Sequence, residues 1–307
     1  MARTTPTTKG ITLIGDRTVK ILLFGGSGQL GFELRKRAAD LHFDLVSPVT
    51  KEVDITSAAQ VSRLFEVVAP QVVINSAAYT AVDKAEEERE KAFAINGEAV
   101  RSVAEGCKAV GARLIHVSTD YVFDGSLERP LREEDAVNPL GVYGQSKLVG
   151  ERHVQEIAPD TSVILRTQAL YGQRGINFVQ TMLKLFAERD VLKVVNDQWV
   201  SPTWAGWLAE VILDLARLPQ AGVLHASCDG IVSWYDFAVE IQRLARPSFE
   251  GKPLARIEPT TASELNRPAR RPTYSAFDTS KLAAALGRPT LPWREGLARY
   301  LAEVGVV

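Results

Sequence analysis

From residue 20 onward, short runs of apolar residues alternate with longer stretches in which apolar positions recur every three or four residues. That is the pattern of strands joined by crossover helices. The runs predict strands over 20–24, 43–47, 72–75, 113–118 and 162–166, and the periodic stretches predict helices over 30–39, 58–68, 84–109 and 143–156. Each helical stretch is long enough to carry the chain back over a parallel sheet. The expected fold class is therefore α/β, a doubly wound parallel sheet of Rossmann type. Beyond about residue 170 the periodicity loosens, and Pro202, Pro219, Pro247, Pro253, Pro259, Pro268 and Pro272 punctuate it, which predicts a smaller mixed α/β lobe. The chain divides on this reading into an N-terminal extension (1–18), a main domain (19–170) and a lobe (171–307). The strand-like segment 222–226 is a candidate to return to the main sheet.

Composition narrows the function classes. A chain of 307 residues with 46% hydrophobic content can bury one large core, or one domain with a smaller partner packed on it. A net charge of -1 gives no electrostatic reason to expect nucleic acid or a membrane surface as partner. Cys107 and Cys228 lie far apart without the paired spacing of a zinc site or disulfide framework, which fits a reducing compartment. Residues 1–17 are rich in Thr and lack the apolar core of a signal peptide, and no apolar run approaches the roughly 20 residues that span a bilayer. A cytoplasmic protein is expected. His42, His116, His153 and His225 share no metal-ligand spacing, so no catalytic metal is expected.

The first predicted strand runs into Gly25-Gly26-Ser27-Gly28-Gln29-Leu30-Gly31, which opens directly into a helix. Gly25 permits a tight turn, Gly28 lets the backbone approach a pyrophosphate, and Gly31 permits close helix packing. The helix start, with Gln29 and Leu30, offers free N–H donors to phosphate. A glycine triplet alone is as often an ordinary loop, but this one sits at the first strand of a parallel sheet, where a dinucleotide crevice belongs. After the second strand the chain reads Ser47-Pro48-Val49-Thr50-Lys51, a hydroxyl and a cation where an NAD-binding chain would carry a carboxylate. NADPH is the expected cofactor, with NADH possible; the plain alternative for Lys51 is a solvated loop charge. Asp54 and Ile55 are candidates for the adenine edge, although Asp54 could equally cap the following helix. The main domain is thus expected to bind a dinucleotide, leaving substrate mainly to the lobe.

Tyr143 and Lys147 lie four apart at the start of a helical stretch and share one face. Such a pair also arises by chance as a surface tyrosine beside a solvated lysine. A third element sharpens it: the strand ending Ser118-Thr119-Asp120-Tyr121 brings hydroxyls to the sheet edge where a nicotinamide would lie. Hydride delivered to a ketone leaves charge on oxygen, and a positioned acid must supply a proton. Tyr143 is the candidate acid. Lys147 would lower the phenol's pKa and bond the nicotinamide ribose, and Thr119, with Ser118 as second choice, would hold the carbonyl oxygen.

These residues resemble the dTDP-4-dehydrorhamnose reductases, within the extended short-chain dehydrogenases. The resemblance runs from Lys20 nearly to the end, through 28–31, 75–86 (Asn75-Ser76-Ala77-Ala78-Tyr79-Thr80-Ala81-Val82-Asp83-Lys84-Ala85-Glu86), 118–125 and 143–147. It implies reduction of the 4-keto group of a dTDP-6-deoxyhexulose to dTDP-L-rhamnose. It also implies that Ala77, Ala78 and Tyr79 line the cofactor and that Thr80, Val82, Asp120 and Tyr121 approach the sugar. The Arg267-Pro268-Ala269-Arg270-Arg271-Pro272 run resembles the family's Arg-Pro loop and makes Arg271 a candidate diphosphate clamp, against the plain reading of a solvated loop. Tyr121 stands where the related 4,6-dehydratases carry a glutamate, so elimination lacks its acid–base partner.

Two positions depart from the family pattern. Relatives commonly read Arg-Thr-Ser-Trp-x-Tyr-Gly where this chain has Arg166-Thr167-Gln168-Ala169-Leu170-Tyr171-Gly172, and glycine where Val200 stands. Missing the aromatic, the sugar site is expected to be more open. The alternatives are a reductase or epimerase of another nucleotide sugar, or a non-catalytic NADP-binding regulatory subunit. A small-molecule nucleotide sugar is the expected partner, with a homodimer possible.

Overall fold

The computed structural model describes residues 19–251 and 253–307. The expected N-terminal extension, residues 1–18, lies outside them. Strands β1 (Lys20–Phe24), β2 (Asp44–Val46), β3 (Val72–Asn75), β4 (Arg113–Thr119) and β5 (Ser162–Thr167) are joined by crossover helices. With Gly222–His225 they form one six-stranded sheet, in which β1 lies between β3 and β2, and β4, β5 and Gly222–His225 follow beyond β3. Every pairing in it is parallel. The segment Gly222–His225 is thus an edge strand, in register with β5 from Val163 to Arg166.

Period-two alternation decides which helices cover which face. Ile21, Leu23, Ile74, Ile115 and Leu165 point to one side, where they join Leu30 and Leu34 of helix α1 (Gln29–Asp40) and a long buried stretch of the helix Ala205–Arg217. Leu22, Phe24, Val73, Leu114 and Ile164 point to the other side, where they meet α2 (Ala58–Val68) through Val61, Phe65 and Val68. Both faces are covered, which makes the sheet doubly wound. On the α1 side the apolar cluster continues without a break into the region beyond residue 170, through Tyr171, Phe186, Phe237, Trp293 and Tyr300. That region adds small two-stranded ribbons, such as Arg256–Thr260 beside Val191–Val195, and further helices.

The single helix expected over 84–109 is instead broken into α3 (Val82–Ala85), α4 (Arg89–Phe93), a π-helical turn at Ala94–Glu98 and α5 (Ala99–Val110). The first break falls at three successive carboxylates, Glu86, Glu87 and Glu88. Glu86 turns away to accept the Val142 N–H at 2.9 Å, at the start of helix α6 (Val142–Ile157), and Glu88 pairs with Lys91. The π turn carries Asn96 inward, where it is fully buried. β2 is shorter than the expected 43–47, because Phe43 and Ser47 fall outside its three-residue pairing with β1.

Phe65 is 2% exposed and its ring fills the space beside Phe24 and Gly106. Phe65→Ala is expected to lower unfolding free energy by about 3–5 kcal/mol. Val67→Ala, at an exposed position of the same helix, should stay within about 0.5 kcal/mol. Urea unfolding of the two variants checks the pair; equal losses would contradict this packing.

Candidate active site

The order of the sheet places a crevice between the C-terminal ends of β1 and β3, because the chain leaves β1 toward one edge and resumes at β3 on the other side. There the backbone is too close for side chains. Gly25 has φ of +83°, and a Cβ on it would lie 2.5 Å from the Ala77 nitrogen. A Cβ on Gly31 would lie 2.1 Å from the Gly25 carbonyl oxygen. No side chain caps α1, so its first N–H groups are left to the crevice. A dinucleotide pyrophosphate fits this cradle of backbone donors.

The crevice opens into a cleft of about 700 Å³. Of the residues proposed from sequence as cofactor-binding, Gly25, Gly28, Gln29, Leu30, Gly31, Asp54, Ile55, Ala77, Ala78, Ser118, Tyr143 and Lys147 line it. So do Thr80, Val82, Thr119, Asp120 and Tyr121 from the proposed sugar end. Three others lie elsewhere. Lys51 is exposed in the turn after β2, where Thr50 rather than Lys51 reaches the cleft wall. Tyr79 is buried behind the wall, its ring beneath the Lys91 ammonium at 5.4 Å. Arg271 lines a neighbouring cavity of about 340 Å³ with Arg267 and Arg270. Asp54 does not cap α2, whose N-cap is Ser57; it accepts instead from the Thr56 hydroxyl at 2.7 Å and backbone at 2.9 Å.

At the other end of the cleft, α6 lays Tyr143 and Lys147 along β4. Lys147 is 2% exposed, and its Nζ donates to the Val117 carbonyl at 2.7 Å. Burial pushes its pKa down to about 8, with Glu151 pulling the other way. Burial raises the Tyr143 phenol above its ordinary value, against a hydrogen bond with Thr119 that lowers it, so the lowering expected from Lys147 is overturned by desolvation. The Tyr121 ring meets the Tyr143 ring edge to face, with centroids 5.3 Å apart. Thr119 ends β4; its hydroxyl donates to Asp120 Oδ1 at 3.0 Å and accepts the Tyr121 N–H at 3.2 Å. Asp120 is buried, and that desolvation lifts its carboxyl to about 6 against hydrogen bonds from Ser275 and Thr119. Arg271 holds Asp83 with a bidentate pair at 3.0 and 2.8 Å and also acts on the Tyr121 phenol, so the arginine cavity adjoins the cleft through Tyr121.

Several further polar side chains organise the site, and of these only Gln29 was a candidate from sequence. Asn96 accepts the Tyr79 N–H at 2.8 Å, donates to the Tyr79 carbonyl at 3.0 Å and to Ser146 Oγ at 3.0 Å, tying the 76–80 loop to α6. Glu151, one turn past Lys147, accepts from Ser118 Oγ and from the Arg166 guanidinium. Gln29 donates to the Leu170 carbonyl at 3.1 Å and accepts from Asn177 at 3.0 Å. Gln168 accepts the Ser201 N–H at 3.0 Å, while its Nε2 has no hydrogen-bond partner among the described residues. Next to it Ala169, at φ +44°, lines the cleft, at the position where the family pattern leads one to expect an aromatic. The four-residue spacing from Tyr143 through Lys147 is the signal that would single out Glu151, which the sequence reading missed; Asn96 leaves none beyond an asparagine inside a helical pattern. Among the described residues no group of three or more His, Cys, Asp or Glu side chains is arranged to hold a metal ion, and no helix is long and apolar enough to cross a membrane.

The pattern of the family described as "RmlD substrate binding domain" matches residues 19–306. A protein of Streptomyces griseus named dTDP-4-dehydrorhamnose reductase is 43% identical over 281 residues, which are 90% of this chain and 91% of that one. Among solved structures, a dTDP-4-dehydrorhamnose reductase from Clostridium acetobutylicum superposes with a TM-score of 0.88 at 41% identity, covering 93% of this chain and 99% of its own. One from Bacillus anthracis, in complex with NADP, gives 0.87 at 36% identity, covering 94% and 100%.

Asn96→Ala would leave the buried Tyr79 N–H and C=O without partners. Unfolding free energy should fall by about 2–3 kcal/mol in denaturant titration; a change below about 1 kcal/mol would remove Asn96 as the tie between loop and helix.

Proposed function

Because the chain belongs to the RmlD substrate-binding-domain family, we propose that it is a dTDP-4-dehydrorhamnose reductase, reducing the 4-keto group of a dTDP-linked 6-deoxyhexulose to dTDP-L-rhamnose with NADPH, in the cytoplasm. The observation that carries the reading is the convergence of Thr119, Tyr143 and Lys147 at one end of a cleft whose other end is a glycine cradle. NADPH, when bound, supplies the hydride. Tyr143, kept protonated by burial, stands as the acid for the developing alkoxide. Lys147 adds positive charge beside it and a donor for the ribose, and Thr119 presents its hydroxyl to the carbonyl oxygen. The lobe beyond residue 170 and the Arg267, Arg270 and Arg271 cavity suit the nucleotide diphosphate, since guanidinium forks match phosphate oxygens. Thr80, Val82, Asp120 and Tyr121 form the wall between that cavity and the acid. Gln168 and Ala169 favour a second reading, a reductase for a related 4-keto nucleotide sugar with a different substituent at this wall.

NADPH is preferred over NADH because the loop after β2 presents no free carboxylate to the ribose. Glu52 folds back to accept the Val49 N–H at 2.9 Å. Arg35 of α1 lies against Gly26, which touches Ser47 at the end of β2, and adds a cation to Thr50 and Lys51.

Tyr143→Phe should bind NADPH nearly as tightly as the parent and lose about 100- to 10,000-fold in kcat; a loss below tenfold would sink the acid assignment. A panel of 4-keto nucleotide sugars, followed by nicotinamide absorbance, should show turnover with NADPH and weaker use of NADH, the gap narrowing with salt because these cations are exposed. Arg35→Ala should narrow the same gap. Tight NADPH binding with no turnover on any member of the panel would favour the non-catalytic cofactor-binding subunit instead.

A further inference from the structure

Helix α6 carries Tyr143, Lys147 and Glu151 at successive turns of one face. The third has no part in the acid relay, yet it is the most tightly bound. Glu151 is 1% exposed. Its Oε1 accepts from Ser118 Oγ and from Arg166 Nε at 3.0 Å, and its Oε2 accepts from Arg166 Nη2 at 2.7 Å. Ser118 and Arg166 are register partners on β4 and β5, so one carboxylate grips both strands directly beneath the site. The Arg166 guanidinium is itself fixed, lying over the Phe123 ring at 5.1 Å.

We propose that Glu151 is a positioning residue for the reduction: it pins α6 to β4 and β5 one turn beyond Lys147, and its charge keeps Lys147 an ammonium in a site that has removed water from it. The inference rests on the ketoreductase reading above. Burying two charges is unfavourable unless each is paired and hydrogen-bonded, and a pair that only joined α6 to the sheet could be replaced by apolar side chains. What apolar side chains could not supply is the field at Lys147. Burial alone drives that amine toward neutrality, and Glu151 opposes it. The other groups around Lys147 do not substitute. Tyr143 on α6 is held neutral. His116 on β4, hydrogen-bonded to Asn75, is neutral by burial and by the charge of Lys147. Asp120, beyond the end of β4, is bound to Thr119. Arg166 on β5 is cationic and occupied by Glu151, and the π turn contributes the neutral Asn96.

The reduction needs Tyr143 and Lys147 both protonated. Because the phenol is raised, the alkaline limb of kcat/KM belongs to Lys147 and should lie near pH 8 in the parent. In Glu151→Gln it should move about one pH unit lower, the direction set by removing the opposite charge one helical turn away. At pH 6.5 the variant should therefore recover most of the parental kcat, with the deficit opening as pH rises. Glu151→Asp should hold the limb near its parental position. If Glu151→Gln folds poorly with Arg166 left unpaired, Glu151→Gln with Arg166→Met removes both charges and should still show the lowered limb. Carbon NMR of lysines labelled at the ε position, with Lys147 assigned by its loss in Lys147→Met, reads the same midpoint without substrate. Failure of the ketoreductase reading and failure of this assignment are thus distinguishable. A Lys147 midpoint unmoved in both Gln-containing variants, or a loss of activity by the same factor at every pH, overturns the proposal.

Discussion

Between β1 and β3 the chain passes so close to itself that no side chain fits: Gly25 meets the Ala77 backbone, and Gly31 meets Gly25. This contact arises from the order of the strands. The chain runs from β1 to one edge and must return past it to form β3, so two loops leave the sheet side by side at its C-terminal end. Glycine at these points lets the loops lie flat, with α1 starting immediately behind them. The cleft, the helix dipole that faces it and the distance across to α6 all follow from that approach. A methyl group at Gly31 would displace backbone rather than a mobile side chain, which makes the loop intolerant where an ordinary turn would be permissive.

At the far end the cleft is held by polar groups where a hydrophobic wall would be the simpler construction. Asn96 satisfies both backbone groups of Tyr79. Asp120 is buried with Thr119 and Ser275 as partners, and Lys147 with the Val117 carbonyl. Such groups are costly to bury and are tolerated where each finds a partner. Their burial also disfavours the charged form of each, which is why a lysine lowered to about 8 and an aspartic acid raised to about 6 stand within one site. Gln168 Nε2 and Thr167 Oγ1, buried beside this wall, find no hydrogen-bond partner among the described residues.

The parallel sheet was legible because strands buried on both faces read as continuous apolar runs, as in Leu22 to Phe24 and Val72 to Ile74. The stretch 84–109 was not, because a helical period persists through one helix break and a π turn, and the reasons for both lie elsewhere: at Val142, which Glu86 bonds, and at Tyr79, which Asn96 bonds. The same distinction separates the site residues. The glycine loop, Thr119, Tyr143 and Lys147 announce themselves by residue type and spacing. Lys51 was chosen by its place after β2, but a turn decides where its side chain goes, and Arg35, seven residues past Gly28, gave no sign from sequence that it reaches back to Gly26. Arg166 reads simply as the end of an apolar strand until Glu151 is seen across from it.

Gln29 belongs to the glycine loop by sequence, yet its carboxamide is engaged on both sides by the opposite bank: it donates to Leu170 and accepts from Asn177. Asn177 in turn starts the helix Phe178–Glu188, by accepting the Gln180 N–H at 3.1 Å. At this point a single carboxamide joins the two banks: a glutamate would set a carboxylate against the Leu170 carbonyl oxygen, and an asparagine is one methylene shorter. The start of α1 and the start of that distant helix thus hang on one shared pin, and a substitution at Gln29 unfastens both banks of the cleft at once.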